Sequence, residues 1–121
     1  MKNLIYIFLG GGVGSILRFL ISNYTQKFWN INAFPLGTFL VNITGCFLIG
    51  CLSGYFMKVD NSLKYLLITG LCGGYTTFST FSAENFSLLQ NSNYGILILY
   101  SLLSLIIGIM MVFLGFQIIK N

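Results

Sequence analysis

The chain has 121 residues, of which 56% are hydrophobic and only 7% are charged. Six Lys/Arg and two Asp/Glu cannot cover the surface of a water-soluble domain of this size, so the composition predicts a protein that is solvated by lipid. The sequence contains no histidine, which removes the usual general base and the commonest metal ligand. We therefore expect an integral membrane protein that is not an enzyme.

Four segments are long and apolar enough to cross a bilayer, which takes about 20 mostly apolar residues. They are Leu4–Ser22, Phe34–Met57, Leu63–Leu89 and Tyr94–Ile119. Lipid offers backbone amides no partners, so the sequence predicts an all-α membrane protein, with residues 1–121 as one domain of four transmembrane helices. A cleaved signal peptide at the first segment is the alternative, and it would discard Arg18.

The basic residues occur singly, which predicts membrane anchors and argues against a nucleic-acid surface. With four spans, both termini share one face of the membrane. That face carries four lysines: Lys2, Lys58, Lys64 and Lys120. The opposite face carries Lys27, alone or with Arg18. The positive-inside rule therefore predicts that both termini are cytoplasmic.

The third span contains glycines and hydroxyl residues between Gly70 and Ser82 that make a poor continuous helix. A helix broken at the bilayer midplane would free backbone carbonyls for a cation and turn a helix N-terminus toward an anion. The alternative is a continuous helix whose glycines serve packing and whose hydroxyls bond to their own carbonyls. The composition favours the break and leaves the alternative open.

Polar groups at membrane depth are costly and are therefore candidates for function. Asn42 can donate two N–H bonds, although a helix–helix hydrogen bond is the alternative. Phe78 and Phe81 share a helix face, and their positive ring edges could meet an anion, although such residues ordinarily face lipid or the core. Arg18 and Glu84 lie in the same leaflet and could pair. These groups suit the passage of an anion better than bond breaking.

Three motifs together resemble the Fluc (CrcB) family of fluoride channels across essentially the whole chain. They are Gly11-Gly12-Val13-Gly14-Ser15 leading to Arg18, Gly37-Thr38-Phe39-Leu40-Val41-Asn42 with Gly45, and Gly73-Gly74-Tyr75-Thr76-Thr77-Phe78-Ser79-Thr80-Phe81-Ser82. The resemblance implies passive fluoride export, and hence fluoride resistance, by an antiparallel, dual-topology dimer with two pores. It also implies location in the plasma membrane, as in a bacterial inner membrane.

The resemblance implies roles for individual residues as well. The fluoride pathway would include two ring-edge sites, a polar amide, two hydroxyls and a pore tyrosine: Phe78, Phe81, Asn42, Ser79, Thr80 and Tyr100. A structural sodium ion would sit at the helix break on the dimer axis, held by backbone carbonyls of Gly73 and Thr76 from both subunits. Structural or vestibule roles would fall to Arg18 and Glu84.

The lysine asymmetry favours a chain that inserts one way and pairs with an oppositely oriented homologue. Equal insertion in both orientations, giving a dimer of the chain with itself, stays open. Two other functions are weighed against a channel. A small multidrug-type transporter of four helices needs a carboxylate in its first span, where Leu4–Ser22 has none. A non-conducting assembly subunit would tolerate apolar replacements of Phe78 and Phe81.

Overall fold

A computed structural model describes residues 1–29 and 33–120, and these residues build an all-helical protein. The helices are α1 (Lys2–Phe28), α2 (Leu36–Lys58), a π-helical segment (Tyr65–Cys72) continued by the short α3 (Gly73–Tyr75), α4 (Phe78–Gln90) and α5 (Tyr94–Lys120). The predicted connection Asn23–Ala33 includes residues 30–32, which lie outside the described residues.

Within the described residues, three helices, α1, α2 and α5, are long and apolar enough to cross a membrane. This confirms the prediction of an all-α, multi-pass membrane protein. At 27 residues, α1 is about 40 Å long and continues past the predicted limit at Ser22 to Phe28. The residues after Ser22 are mostly polar but include no helix breaker, so backbone hydrogen bonding continues, with the Trp29 amide donating to the Thr25 carbonyl at 2.8 Å.

The helices form two closely packed pairs, and the first joins α1 to the π-helical segment. A Cβ atom on Gly10 would strike the carbonyl oxygen of Leu66, and one on Gly14 would strike that of Leu71. Only glycine allows the two backbones to approach this closely, which is how helices associate in lipid without a hydrophobic force between them.

The second pair joins α2 to α5 by the same means. A Cβ atom on Gly50 would meet the carbonyl of Val112, and one on Gly115 would meet that of Phe47. At one end of this pair, the Lys58 ammonium in the last turn of α2 donates to two carbonyls at the end of α5, Ile119 at 2.9 Å and Lys120 at 3.2 Å. Such carbonyls have no partner within their own helix.

The buried core is small and partly polar. Val41, Cys72 and Tyr100 have no exposed surface, and the side chain of Thr38 is buried as well. Large apolar side chains of α1 and α5 instead point outward. This distribution is the reverse of that in a water-soluble protein and fits a surface that faces lipid.

Candidate functional site

The backbone leaves helical geometry at Thr76 and Thr77, between α3 and α4. Both residues are extended, with φ and ψ of −82° and 156° at Thr76 and −149° and 121° at Thr77. Thr77 then caps α4, because its hydroxyl accepts a hydrogen bond from the Thr80 amide at 3.1 Å. The hydroxyl of Thr76 donates back to the Cys72 carbonyl at 2.9 Å, which satisfies part of the end of the preceding segment.

Asn42 of α2 fastens this extended segment from the side. Its Oδ1 accepts a hydrogen bond from the Thr77 amide at 2.8 Å, and its Nδ2 donates to the Thr77 carbonyl at 3.1 Å. The pair of bonds imitates the pairing of two peptide groups. An amide has two N–H donors, so one N–H of Asn42 is left over among the hydrogen bonds of the described residues.

The interruption leaves two carbonyls without their ordinary helical donors. In a continuous helix the Gly73 carbonyl would accept from the amide of Thr77, and that of Thr76 from the amide of Thr80. Both amides donate elsewhere, one to Asn42 and the other to the Thr77 hydroxyl. Gly73 is exposed on the surface of the chain. Carbonyl oxygens of this kind can coordinate a cation.

A groove of about 510 Å³ lies beside the interruption. Its walls come from α2, from the extended segment with the start of α4, and from α5. The lining residues are Asn42, Cys46, Ile49, Thr76, Thr77, Phe78, Phe81, Ser101, Ser104 and Leu105. Among the described residues, the buried Ser104 hydroxyl has no hydrogen-bond partner. The groove thus joins apolar walls to donors that have capacity for a further acceptor.

Phenylalanine rings stand at this groove in a cluster of aromatic side chains. The ring centroids of Phe78 and Phe81 are 6.0 Å apart, with their planes at 38°. The ring centroid of Phe81 lies 4.9 Å from that of the fully buried Tyr100, whereas Phe78 is 78% exposed. Tyr100 also meets Phe34 edge-on at 5.4 Å. Phe81 is therefore held by its neighbours, whereas the ring of Phe78 lies on the surface of the chain.

Behind the ring cluster, a carboxylate is held by two hydroxyl donors. Glu84 Oε1 accepts from the Tyr100 phenol at 2.9 Å, and Oε2 accepts from the Thr38 hydroxyl at 2.8 Å. These bonds join α4 to α5 and to α2 at half-buried depth. A carboxylate in such a place is costly unless it has donors, and each oxygen has one here.

Arg18 is half-buried at another position and has a different partner. Its Nε donates to the carbonyl of Gly74 at 3.1 Å, which ties α1 to the segment just before the interruption. The structure thus brings Arg18 to the backbone of α3, whereas the Glu84 carboxylate accepts from Thr38 and Tyr100.

The structure brings together several of the residues singled out by sequence. Asn42, Phe78 and Phe81 line one groove, and Tyr100 lies behind it. Ser79 and Thr80 lie on the first turn of α4 and do not line the groove; the Ser79 hydroxyl is 3.4 Å from that of Thr77.

Sequence reasoning gave no role to two further residues of this region. Ser104 lies four residues after Tyr100, a spacing that is visible in the sequence but is a weak signal alone. Thr38 falls on the same face of α2 as Asn42, and nothing in the sequence links it to Glu84.

Comparison with known proteins gives the family. Residues 5–116 match the family model described as CrcB-like protein, Camphor Resistance (CrcB). The chain belongs to the CrcB family. It is 50% identical to a Fluoride-specific ion channel FluC of Flavobacterium psychrophilum over 124 aligned positions, which cover 100% of this chain and 99% of the relative. Channels of the same name from Azobacteroides pseudotrichonymphae and Phocaeicola vulgatus are 45% and 48% identical, covering 96% and 95% of this chain and 94% and 96% of those relatives.

Membership of the CrcB family confirms the resemblance stated from the three motifs. The match runs through α1, the interruption at Thr76–Thr77 and nearly all of α5. The chain therefore spans the relatives almost completely, so that its groove and its helix interruption fall within the compared region.

Proposed function

We propose that this chain is a fluoride-selective channel that lets fluoride leave the cell passively and so confers fluoride resistance. The proposal rests on membership of the CrcB family and on relatives that are named fluoride-specific ion channels. Those relatives come from bacteria, which supports the bacterial plasma membrane as the location. A channel makes and breaks no covalent bond, so the chain is not an enzyme.

One observation carries the proposal: the groove combines phenylalanine rings with uncommitted donors. Phe78 and Phe81 can turn ring edges, where the aromatic quadrupole is positive, toward an anion. Asn42 offers its remaining N–H, and Ser104 offers a buried hydroxyl without a partner among the described residues. An anion that loses its hydration shell needs such short hydrogen bonds in return. Of the residues that the structure describes, no lysine or arginine lines the groove. Fluoride therefore meets no fixed positive charge there that would bind it too tightly for release.

We further propose that the π-helical segment, α3 and α4 together form one interrupted third span. The extended residues Thr76 and Thr77 would then lie at membrane depth, where irregular backbone is tolerated only inside protein or beside a water-filled path. The polar groups of this segment have partners from Asn42 and from the α4 cap, which supports such a position.

A structural sodium ion is proposed at this interruption. Gly73 and Thr76 fit the group, because their carbonyls have lost their helical donors and oxygen ligands suit a hard cation. Two carbonyls are too few to complete a coordination shell. The same two residues from a second subunit, antiparallel to the first, would supply the rest and account for the exposure of Gly73 and of Phe78.

The antiparallel partner is either a second copy or an oppositely oriented homologue. Four lysines against one or two basic residues favour the homologue. Either arrangement would place the exposed Phe78 ring of this chain against the partner.

A coupled multidrug-type transporter is the rival function, and the hydrogen bonds of the Glu84 carboxylate argue against it. Such a transporter exchanges protons for a cation at a free acidic group. Both oxygens of Glu84 instead accept hydrogen bonds from Thr38 and Tyr100, and α1 contributes Arg18, which repels a cation.

The experiment is fluoride efflux from liposomes that contain the purified chain, followed with a fluoride electrode. We expect rapid efflux down the gradient that is independent of a proton gradient and absent when chloride replaces fluoride. Efflux that requires a proton gradient would favour a coupled transporter. An absence of flux, both from the chain alone and from its mixture with a homologue, would contradict the proposal.

A further inference from the structure

The Asn42 amide makes two hydrogen bonds to the protein backbone, more than a residue that serves only as an anion ligand needs. Both polar atoms of its amide bind the backbone of one residue, Thr77, at 2.8 and 3.1 Å. In an unbroken helix the Thr77 amide would donate to the Gly73 carbonyl. Asn42 Oδ1 takes that donor away. The side chain therefore substitutes for one helical hydrogen bond and leaves the Gly73 oxygen without it.

A second feature of α2 points the same way. Gly45 lies one turn after Asn42, and a Cβ atom there would strike the methyl carbon of Thr76 and approach the Tyr75 ring to 3.0 Å. The glycine thus makes room for the side chain of Thr76 in its extended conformation. Neighbouring positions of α2 provide the two things that an interruption needs, which are replacement hydrogen bonds and space.

The return to the helix is also fixed once Thr77 is held. Thr77 caps α4 through its hydroxyl, which takes the Thr80 amide from the Thr76 carbonyl. Phe78 follows immediately as the first residue of α4. A change in the backbone of Thr77 therefore moves the Phe78 ring and both of the released carbonyls at once.

From these contacts we infer that Asn42, seated beside Gly45, is a positioning residue that holds the helix interruption open and so couples cation binding at Gly73 and Thr76 to the fluoride groove. The inference rests on the proposed function, since it concerns the same groove. It differs from a role as fluoride donor alone, because both polar atoms of the Asn42 amide bind the backbone of Thr77. Coupling of this kind is reciprocal. A change that closes the interruption weakens cation binding, and loss of the cation disturbs the groove.

The test separates the two roles by two measurements on the same preparations. Protein is purified entirely without sodium, and the thermal midpoint is followed as sodium replaces N-methyl-glucamine at constant ionic strength. Fluoride efflux is measured in parallel. Asn42→Leu removes both bonds to Thr77 at similar volume, whereas Asn42→Asp keeps an oxygen for the Thr77 amide and places negative charge at the groove. Asn85→Leu is the matched control, because Asn85 contacts Ser101 on α5 and not the interruption.

We expect sodium to raise the midpoint of the wild-type protein, Asn42→Asp and Asn85→Leu alike. In Asn42→Leu we expect the response to be lost or to need at least about tenfold more sodium, a change equivalent to one net hydrogen bond. Fluoride efflux should fall in both Asn42 variants. Gly45→Ala leaves the amide intact and should also weaken the sodium response, which keeps the test informative if Asn42→Leu does not fold.

An unchanged sodium response in both Asn42→Leu and Gly45→Ala, with only efflux lost, would overturn the inference and leave Asn42 as a fluoride donor. The absence of any sodium response in the wild-type protein would overturn it as well. Failure of the proposed function looks different: the wild-type protein would then respond to sodium but release no fluoride.

Discussion

The phenol of Tyr100 donates a hydrogen bond to Glu84 Oε1 at 2.9 Å, and the Tyr100 side chain has no exposed surface. This contact joins α5 to α4 directly behind the Phe81 ring, whose centroid is 4.9 Å from that of Tyr100. Together with the bond from Thr38, it gives each oxygen of the carboxylate a donor. The groove is thus supported from behind by one polar cluster that spans three helices.

Removal of this phenol tests the cluster. Tyr100→Phe keeps the ring and its aromatic contacts but leaves one oxygen of Glu84 without its donor. We expect a loss of about 1–3 kcal/mol in the free energy of unfolding, the usual cost of an unsatisfied buried acceptor. Denaturant titration in detergent micelles measures it. Tyr94→Phe, at an exposed tyrosine of the same helix, should change the value little. Equal effects at both positions would contradict the assignment.

The separate partners of Arg18 and Glu84 predict that the two residues are energetically independent. In a double-mutant cycle of Arg18→Met with Glu84→Gln, we expect the effects on unfolding free energy to add within about 0.5 kcal/mol. The cycle of Tyr100→Phe with Glu84→Gln should show a larger coupling, because these residues are in direct contact. A coupling between Arg18 and Glu84 above about 1 kcal/mol would show that they pair after all.

Two glycines of α1 should respond in opposite ways to the same substitution. Gly14→Ala puts a methyl group against the Leu71 carbonyl, and overpacking against backbone costs about 1–3 kcal/mol or more. A methyl group on Gly12 would meet no described atom within 4 Å, so Gly12→Ala should be neutral or stabilising by up to about 1 kcal/mol through helix propensity. Thermal midpoints of the two variants provide the comparison. A larger loss at Gly12 would place that glycine against a partner subunit.

The turn between α4 and α5 contains a residue in a left-handed conformation. Ser92 has φ of 59°, and among the described residues it is the non-glycine with positive φ. This conformation costs a residue with a Cβ atom about 1 kcal/mol, so we expect Ser92→Gly to raise the thermal midpoint slightly. Ser92→Val should lower it. The same response to both substitutions would argue against this backbone geometry.

The lysine asymmetry predicts the orientation of the chain in the membrane. In a background without native cysteines, Val59→Cys places a single thiol in the exposed connection after α2. A membrane-impermeant maleimide applied to intact cells should fail to label it, whereas permeabilised cells should be labelled fully. Labelling of half the protein in intact cells would instead indicate insertion in both orientations and a dimer of the chain with itself.

Much of the architecture could be predicted because lipid imposes simple rules on a sequence. Apolar runs of sufficient length located α1, α2 and α5. The exact ends were less predictable: α1 continues to Phe28, because polar residues without a helix breaker do not by themselves end a helix. The π-helical segment Tyr65–Cys72 leaves no mark in the sequence, since its hydrogen bonds belong to the backbone.

The site was predictable as a set of residues and not as a set of contacts. An amide, two phenylalanines and a tyrosine stand out in an apolar chain because polar and special groups there are costly. Their partners are set by tertiary structure: Asn42 binds the backbone of Thr77, and Glu84 meets Thr38 and Tyr100. Backbone acceptors such as the Gly74 carbonyl carry no sequence signal, so the partner of Arg18 could only be found in the structure.

Fluoride efflux from liposomes that contain Phe78→Ile tests the central claim most directly, namely that fluoride passes along the groove beside the helix interruption. Isoleucine keeps an apolar side chain but removes the ring edge, so we expect efflux to fall at least about tenfold, as if one favourable contact worth about 1.4 kcal/mol were lost. Phe86→Ile, at an exposed phenylalanine of the same helix that does not line the groove, should retain wild-type efflux. Undiminished efflux through Phe78→Ile would contradict the account.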